Sequence, residues 1–285
     1  MSKEVFITTV TSYFPNYPID NNSMEDYLGL ISGVHSRVKN IVLRQNGIKQ
    51  RFYAVNTKQE MTHTNAELAQ LSIQKLLAEA LLPLQELELL ACATASPDQV
   101  LPSHASMVHG LLKNVPMEIF SASGICLSCI QAFKIAYLSI LAGNKRNAVC
   151  SCSELASAGL LSKNFDVEYE KCANLGIQPY MALEKDFLRF MLSDGASAVL
   201  LQDNPGKGKA LHIEWVEMTS YANELPTCMF MGAEKEKNGE LKSWKSFSSQ
   251  ELTDRSLFTV KQDIKLLEKN AVPYWAKHIK YCLEM

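Results

Sequence analysis

The stretch MEIFSASGICLSCIQAFKIAYLSILAGNKR, residues 117–146, decides how this chain is read. Its first part is strand-like. A run of small residues, Ser121, Ala122, Ser123 and Gly124, then leads into a helical pattern of Ile130, Phe133, Ile135, Leu138 and Leu141. Gly143 stands where such a helix stops. Two cysteines, Cys126 and Cys129, lie at the junction. A CxxC pair at a helix start is compatible with a redox couple, because free backbone N–H groups and the helix dipole favour a thiolate there. It is also compatible with part of a zinc site, with two buried core thiols, or with one nucleophile, Cys126, and a bystander, Cys129. A zinc site needs four ligands. The nearest further thiols, Cys150 and Cys152, are expected to diverge to opposite faces of their strand. For a nucleophile the small residues let a substrate approach, and the helix N-terminus would serve a developing oxyanion.

The rest of the chain supplies the frame. Strand-like runs at 4–14, 87–96, 117–123, 147–155 and 196–203 alternate with helical ones at 65–80, 102–114 and after Cys126. Thr64 or Asn65 is placed to cap the first helix. This β–α–β rhythm predicts a mainly parallel sheet covered by helices. Residues 157–190 read as a loop-rich excursion. The Gly, Lys and Pro of DNPGKGKA, 203–210, mark a boundary, so the chain divides into 1–205 and 206–285. Beyond it come a strand over 210–222, a charged loop over 232–250 and two helical segments split by Pro273.

Composition narrows the class. Of 285 residues 47% are hydrophobic and 20% charged, the balance of an ordinary globular enzyme. A net charge of −2 gives no reason to expect nucleic acid or an anionic membrane as partner. No apolar run approaches a membrane span, and the start does not read as a signal peptide. The eight cysteines are therefore expected as reduced thiols in the cytoplasm, without a disulfide framework.

The nucleophile region, from Ile119 to Leu155, resembles that of β-ketoacyl-acyl-carrier-protein synthase III and its thiolase-fold relatives. Phe120 stands six residues before Cys126, as in that family. RQNGIKQRFYA (44–54) is similar to the family's Arg-Thr-Gly-Ile segment. CATASPDQVLPSHASMV (92–108) is similar to its strand and Pro-Ser loop, and MLSDGASAVLL (191–201) to its Gly-Asp-Gly-Ala strand. The landmarks run in order over about residues 4–203.

The resemblance implies an α/β, thiolase-like layered αβαβα fold, with a complete first half and a partial second half. It implies a homodimer that takes an acyl group from a carrier-protein thioester onto Cys126, whose backbone N–H joins the oxyanion hole. Condensation with a malonyl-type carrier thioester would follow, in fatty-acid or specialised lipid synthesis. Leu101 matches the position that reaches across the dimer interface into the partner's acyl pocket, and Asp194 a structural acid in a tight turn. Ile125 and Ser128 replace smaller residues and reshape the pocket. An extra residue in the Arg-Thr-Gly segment and the missing preceding Trp point to a carrier protein rather than coenzyme A. No cofactor or metal is implied.

The family's His-Gln-Ala-Asn and Gly-Asn-Thr contexts do not occur. After Cys126 the only histidines are His212 and His278, each expected to be an ordinary structural residue. The chain accordingly reads as cut short, lacking the His and Asn that stabilise charge in decarboxylation, although thiol acylation does not need them. A non-elongating acyltransferase and a non-catalytic partner subunit remain open. Glu154, ending its strand, is a candidate accessory base or a hydrogen-bonded structural carboxylate. His104 and His109 are spaced wrongly for a shared metal. Arg44, Lys49 and Arg51 are candidates to meet a carrier's phosphopantetheine or to form a solvated basic face.

Overall fold

The structure, a computed structural model, describes residues 4–36, 39–113, 115–174 and 187–284. Its centre is a six-stranded sheet. The strands are β1 (Phe6–Tyr13), β2 (Leu89–Thr94), β3 (Glu118–Ser123), β4 (Asn147–Glu154), β5 (Gly195–Gln202) and the short β6 (Leu211–His212). Their spatial order is β3-β2-β4-β5-β1-β6. Only β3, β2 and β4 run parallel; β5 is antiparallel to β4 and to β1, and β1 to β6. The sheet is thus mixed rather than mainly parallel. The cause lies in residues 155–194, which leave β4 and return at the same end of the sheet, so that Glu154 faces Gly195. Part of that excursion is helical, α4 (Ala156–Leu160) and α5 (Asp166–Asn174); the expected loop over 175–186 lies outside the described residues.

Helices cover both sheet faces. On one, α1 (Asn65–Ala80) and α2 (His104–Leu112) bury Ile73, Leu76 and Val108 against Leu90, Cys92, Val149 and Leu200. On the other, α3 (Ser128–Leu141) buries Ala132, Ala136 and Ile140 against Leu89, Ala91, Ala148 and Cys150. The strand residues on each side alternate, as the two-residue period of a strand requires. The helical period of the sequence placed α1 correctly to the residue. Thr64 caps it through a capping box: its hydroxyl accepts from the Glu67 N–H, and the Glu67 carboxylate accepts from the Thr64 N–H at 2.7 Å.

Downstream of the sheet two expectations fail. The strand over 210–222 is only Leu211–His212, after which the Ile213 N–H still donates to the Val5 carbonyl at 2.9 Å. Ile213 and Val216 pack against the α3 side of the core without a ladder, so these apolar residues serve packing and not strand pairing. The helices α6 (Ser249–Asp254) and α7 (Ile264–Glu284) follow, and Pro273 lies inside α7 instead of splitting it. Proline there forfeits one backbone hydrogen bond. The carbonyl left over belongs to Lys269, an exposed residue. Among the described residues after β6, strands form only two-stranded ribbons, Ala233–Lys235 with Leu241–Ser243 and Met229–Phe230 with Lys261–Gln262.

Candidate active site

The parallel strands set the site. Thr94 and Ser123 are register partners at the carboxyl ends of β2 and β3, and Cys152 of β4 pairs with Ala93. The loops leaving all three strands therefore emerge at one end of the sheet, the usual place for ligands in parallel arrangements. These loops carry Leu101 after β2, Cys126 after β3, and Glu154 at the tip of β4.

Cys126 lies in the turn between Ser123 and the first residue of α3, and its side chain is exposed. Ser128 shapes that turn: its N–H donates to the Ile125 carbonyl at 3.1 Å and its hydroxyl to the same oxygen at 2.9 Å. Ile125 is half-buried, and Leu127 is exposed next to the thiol. The thiol stands in the turn that opens a helix and is exposed, unlike the buried thiols Cys92 and Cys150.

Leu101 and Val100 are each 82% exposed, on a loop whose Leu101–Pro102 peptide is cis. The outermost strand, β3, has among the described residues a hydrogen-bonded neighbour only on its inner side.

Glu154 turns back onto the protein. It accepts from the Ala95 N–H at 2.8 Å, the Ser96 hydroxyl at 2.6 Å and, more weakly, the Thr94 hydroxyl at 3.4 Å. Burial pushes its carboxyl above the usual range, and these three donors oppose the shift. The loop it holds is fixed again by Asp98, whose carboxylate accepts from the N–H groups of Asn65 and Ala66 at 2.7 and 2.9 Å, at the start of α1. This long-range cap has no local signal in the sequence.

Asp194 is buried and accepts from the Ala54 N–H at 2.6 Å, the Ser157 N–H at 2.8 Å and the Ser157 hydroxyl. Burial raises its carboxyl, and the same donors counter it. It ties the strand-like segment at 52–54, the start of α4 and the start of β5 together.

Several residues singled out by sequence sit elsewhere. Arg51 is buried, donating to the Asn21 side chain at 2.6 Å and to the Phe190 carbonyl, so it does not form a basic face with exposed Arg44 and Lys49. Its apolar surroundings, among them Tyr53 and Phe190, are assembled from distant segments, which no local pattern reveals. His104 is buried with Nε2 3.0 Å from the Ser153 hydroxyl, and His109 Nε2 lies 3.2 Å from the Val115 carbonyl; they share nothing. His212 packs its ring on Phe6, and His278 lies 3.6 Å from Cys282 Sγ on α7. A shallow cleft of about 640 Å³ is lined by charged groups, including Lys237, Lys242 and Arg255, and contains none of these candidates.

The cysteines depart most from expectation. Cys129 and Cys152 form a disulfide, with Cα atoms 5.6 Å apart. Cys150 and Cys152, two apart on β4, share a face instead of diverging, because the period of a strand is two. The sulfurs of Cys129, Cys150 and Cys152 all lie within 4.8 Å of one another. Cys92, Cys126, Cys150, Cys228 and Cys282 are free thiols.

With this geometry defined, known proteins can be compared. No family model matches the chain. It is 29% identical over 196 residues to a β-ketoacyl-[acyl-carrier-protein] synthase III of Limosilactobacillus reuteri, covering 69% of this chain and 50% of that one. It is 26% identical over 159 residues to synthase III 1 of Deinococcus radiodurans, covering 55% and 43%. The chain thus spans about half the length of the curated relatives it matches. Among solved structures, AbyA1, a tetronic acid condensing enzyme, superimposes with a TM-score of 0.70 at 20% identity, over 98% of this chain and 74% of its own. OleA of Xanthomonas campestris with bound lauric acid and lauroyl-CoA gives 0.51 at 18% identity, over 71% and 57%. These likenesses define a thiolase-type α/β fold. The chain has this fold, and in sequence it is similar to β-ketoacyl-[acyl-carrier-protein] synthase III over part of its length.

Proposed function

We propose that this chain is an acyltransferase in which Cys126 takes an acyl group from a thioester. The observation that carries the reading is the exposed Cys126 thiol in the turn opening α3, at the end of the sheet where the β2 and β4 loops also emerge. Attack of the thiolate on the thioester carbonyl forms a tetrahedral oxyanion, which the backbone N–H of Cys126 would help to stabilise. Collapse expels the carrier's thiolate and leaves acyl-Cys126. A malonyl-type carrier thioester is the proposed second substrate, giving a β-ketoacyl product in fatty-acid or specialised lipid synthesis. The synthase III relatives, named for a carrier-bound β-ketoacyl group, support a carrier protein as partner, while a carrier as acyl donor rests on the altered Arg-Thr-Gly segment and the missing Trp.

Exposed Leu101 and Val100, with β3 at the sheet margin, support a homodimer in which Leu101 lines the partner's acyl pocket beside Ile125. Glu154, with its oxygens occupied by loop 94–96, is proposed to position that loop and not to act as the base. The division at 205/206 and a cytoplasmic location remain part of the proposal. No helix among the described residues is long and apolar enough to cross a membrane.

A second reading, acyl transfer to a ring-forming acceptor, draws on the likeness to AbyA1 over nearly the whole chain.

The test is intact-mass spectrometry after incubation with acyl-carrier-protein and acyl-coenzyme A thioesters, beside Cys126→Ala. An adduct of acyl mass that is absent from the variant supports acylation of Cys126. An unmodified wild-type chain overturns it.

A further inference from the structure

The two ends of the Cys129–Cys152 disulfide belong to the two elements that carry the candidate site. Cys129 is the second residue of α3, three after Cys126, and Cys152 is two before Glu154 on β4. The bond therefore fastens the turn holding the nucleophile to the strand beside it. Both cysteines are half-buried, within reach of a small thiol, whereas Cys150 behind them is buried. Cys150 directs its thiol toward the Cys129 carbonyl at 3.8 Å and lies within 4.8 Å of both bonded sulfurs. A structural brace needs two cysteines. A third thiol on the same face, packed in the core under α3 with its sulfur within 4.8 Å of both bonded sulfurs, is the arrangement of an exchange site.

We propose that Cys129, Cys150 and Cys152 form a thiol–disulfide exchange site whose state sets the reactivity of Cys126. The reductant is a dithiol. One of its sulfurs attacks Cys129 or Cys152, the other cysteine leaves as a thiolate and takes a proton, and the second reductant sulfur resolves the mixed disulfide. The dithiol departs oxidised, and both cysteines are left as thiols. Within the protein, Cys150 can give up its proton and attack Cys129, expelling Cys152, which takes a proton. That step exchanges partners with no net oxidation. Burial pushes the Cys150 thiol up to about 12, so this internal step is slow and the external dithiol controls the state. In a reducing compartment, a disulfide in this position is more consistent with sensing than with bracing.

The effect on acyl transfer rests on the proposed role of Cys126; the exchange itself does not. With the bond closed, the first turn of α3 is held, and the N–H groups facing Cys126 are preorganised. Opening the bond removes that restraint.

The experiment uses the full chain equilibrated with oxidised glutathione or with dithiothreitol. Differential alkylation and peptide mass mapping locate the links, and the initial rate of Cys126 labelling by iodoacetamide is measured in each state. The expected results are a 129–152 link under oxidation, its loss on reduction, and Cys126 labelling on the order of 10-fold slower in the reduced form. Cys152→Ser is expected to form a 129–150 link, and Cys129→Ser neither. Absence of the wild-type link under oxidation, or equal labelling of Cys126 in the two states, overturns the proposal. An acyl adduct on Cys126 in a chain that forms no 129–152 link under oxidation would sink this inference alone. A link that changes labelling in a chain that never acylates would sink the acyltransferase reading alone.

Discussion

Asp194, at the mouth of β5, accepts hydrogen bonds from both the backbone N–H and the hydroxyl of Ser157, in the first turn of α4. It also accepts from Ala54, so one buried carboxylate joins three segments that are remote in sequence. Removing it leaves buried donors without an acceptor. Asp194→Ala is expected to destabilise the fold by about 2–4 kcal/mol, read as a lower urea midpoint. A midpoint unchanged from wild type would show that these contacts contribute nothing net.

Glu154 separates a positioning role from a catalytic one. Glu154→Gln keeps an oxygen to accept from the Ala95 N–H, exchanges the one that accepts from Ser96 for an amide nitrogen, and cannot take up a proton at the pH of the assay. If the carboxylate only holds loop 94–96, the acylation rate stays within about threefold of wild type, whereas Glu154→Ala, which frees the loop, lowers it more. A loss of about 100-fold in the Gln variant would restore Glu154 as the base.

The Glu154 carboxyl also gives a pH signature. Its folded pKa is raised above the unfolded value, so between the two the native state holds more proton. Its contribution is thus most favourable below the unfolded pKa and is lost as pH rises through the folded pKa. Glu154→Gln should flatten that part of the stability curve, measured by chemical denaturation across the carboxylate range. An identical slope in the variant would assign the dependence to other groups.

His104 acts in the opposite sense. Burial lowers its pKa below 6.5, so the unfolded chain takes up a proton more readily than the native one. Stability attached to His104 is present above the unfolded pKa and falls as pH drops below about 6.5. His104→Gln retains a hydrogen-bonding partner for Ser153 and should abolish this acid sensitivity below about pH 6.5. Thermal melts at several pH values will show the change.

Leu101, at 82% exposure, contributes little to the fold of one chain. Leu101→Glu is expected to leave the melting temperature of the monomer near wild type while shifting a dimer toward monomer in light scattering. A wild-type chain that is already monomeric at assay concentration would remove Leu101 from the proposed interface.

Much of this protein was legible because its signals are local. The capping box at Thr64 and Glu67, the helical period of α1 and α3, the apolar run that forms most of β2 and the small-residue turn before Cys126 each depend on neighbours a few residues apart. Chain order and residue type alone placed Cys126 at a helix start, and the structure exposes it there. What the tertiary fold decided involves segments that meet only after the chain returns on itself. The antiparallel entry of β5 depends on where residues 155–194 come back to the sheet. The burial of Arg51 depends on the Phe190 carbonyl more than 130 residues later, and the cap on α1 depends on Asp98. The pairing of Cys129 with Cys152 required α3 to lie on that particular face of β4. A sequence records the period of a strand or helix, because hydrogen bonding repeats every few residues. Which faces meet is set by packing across the whole core, where no single segment holds the information.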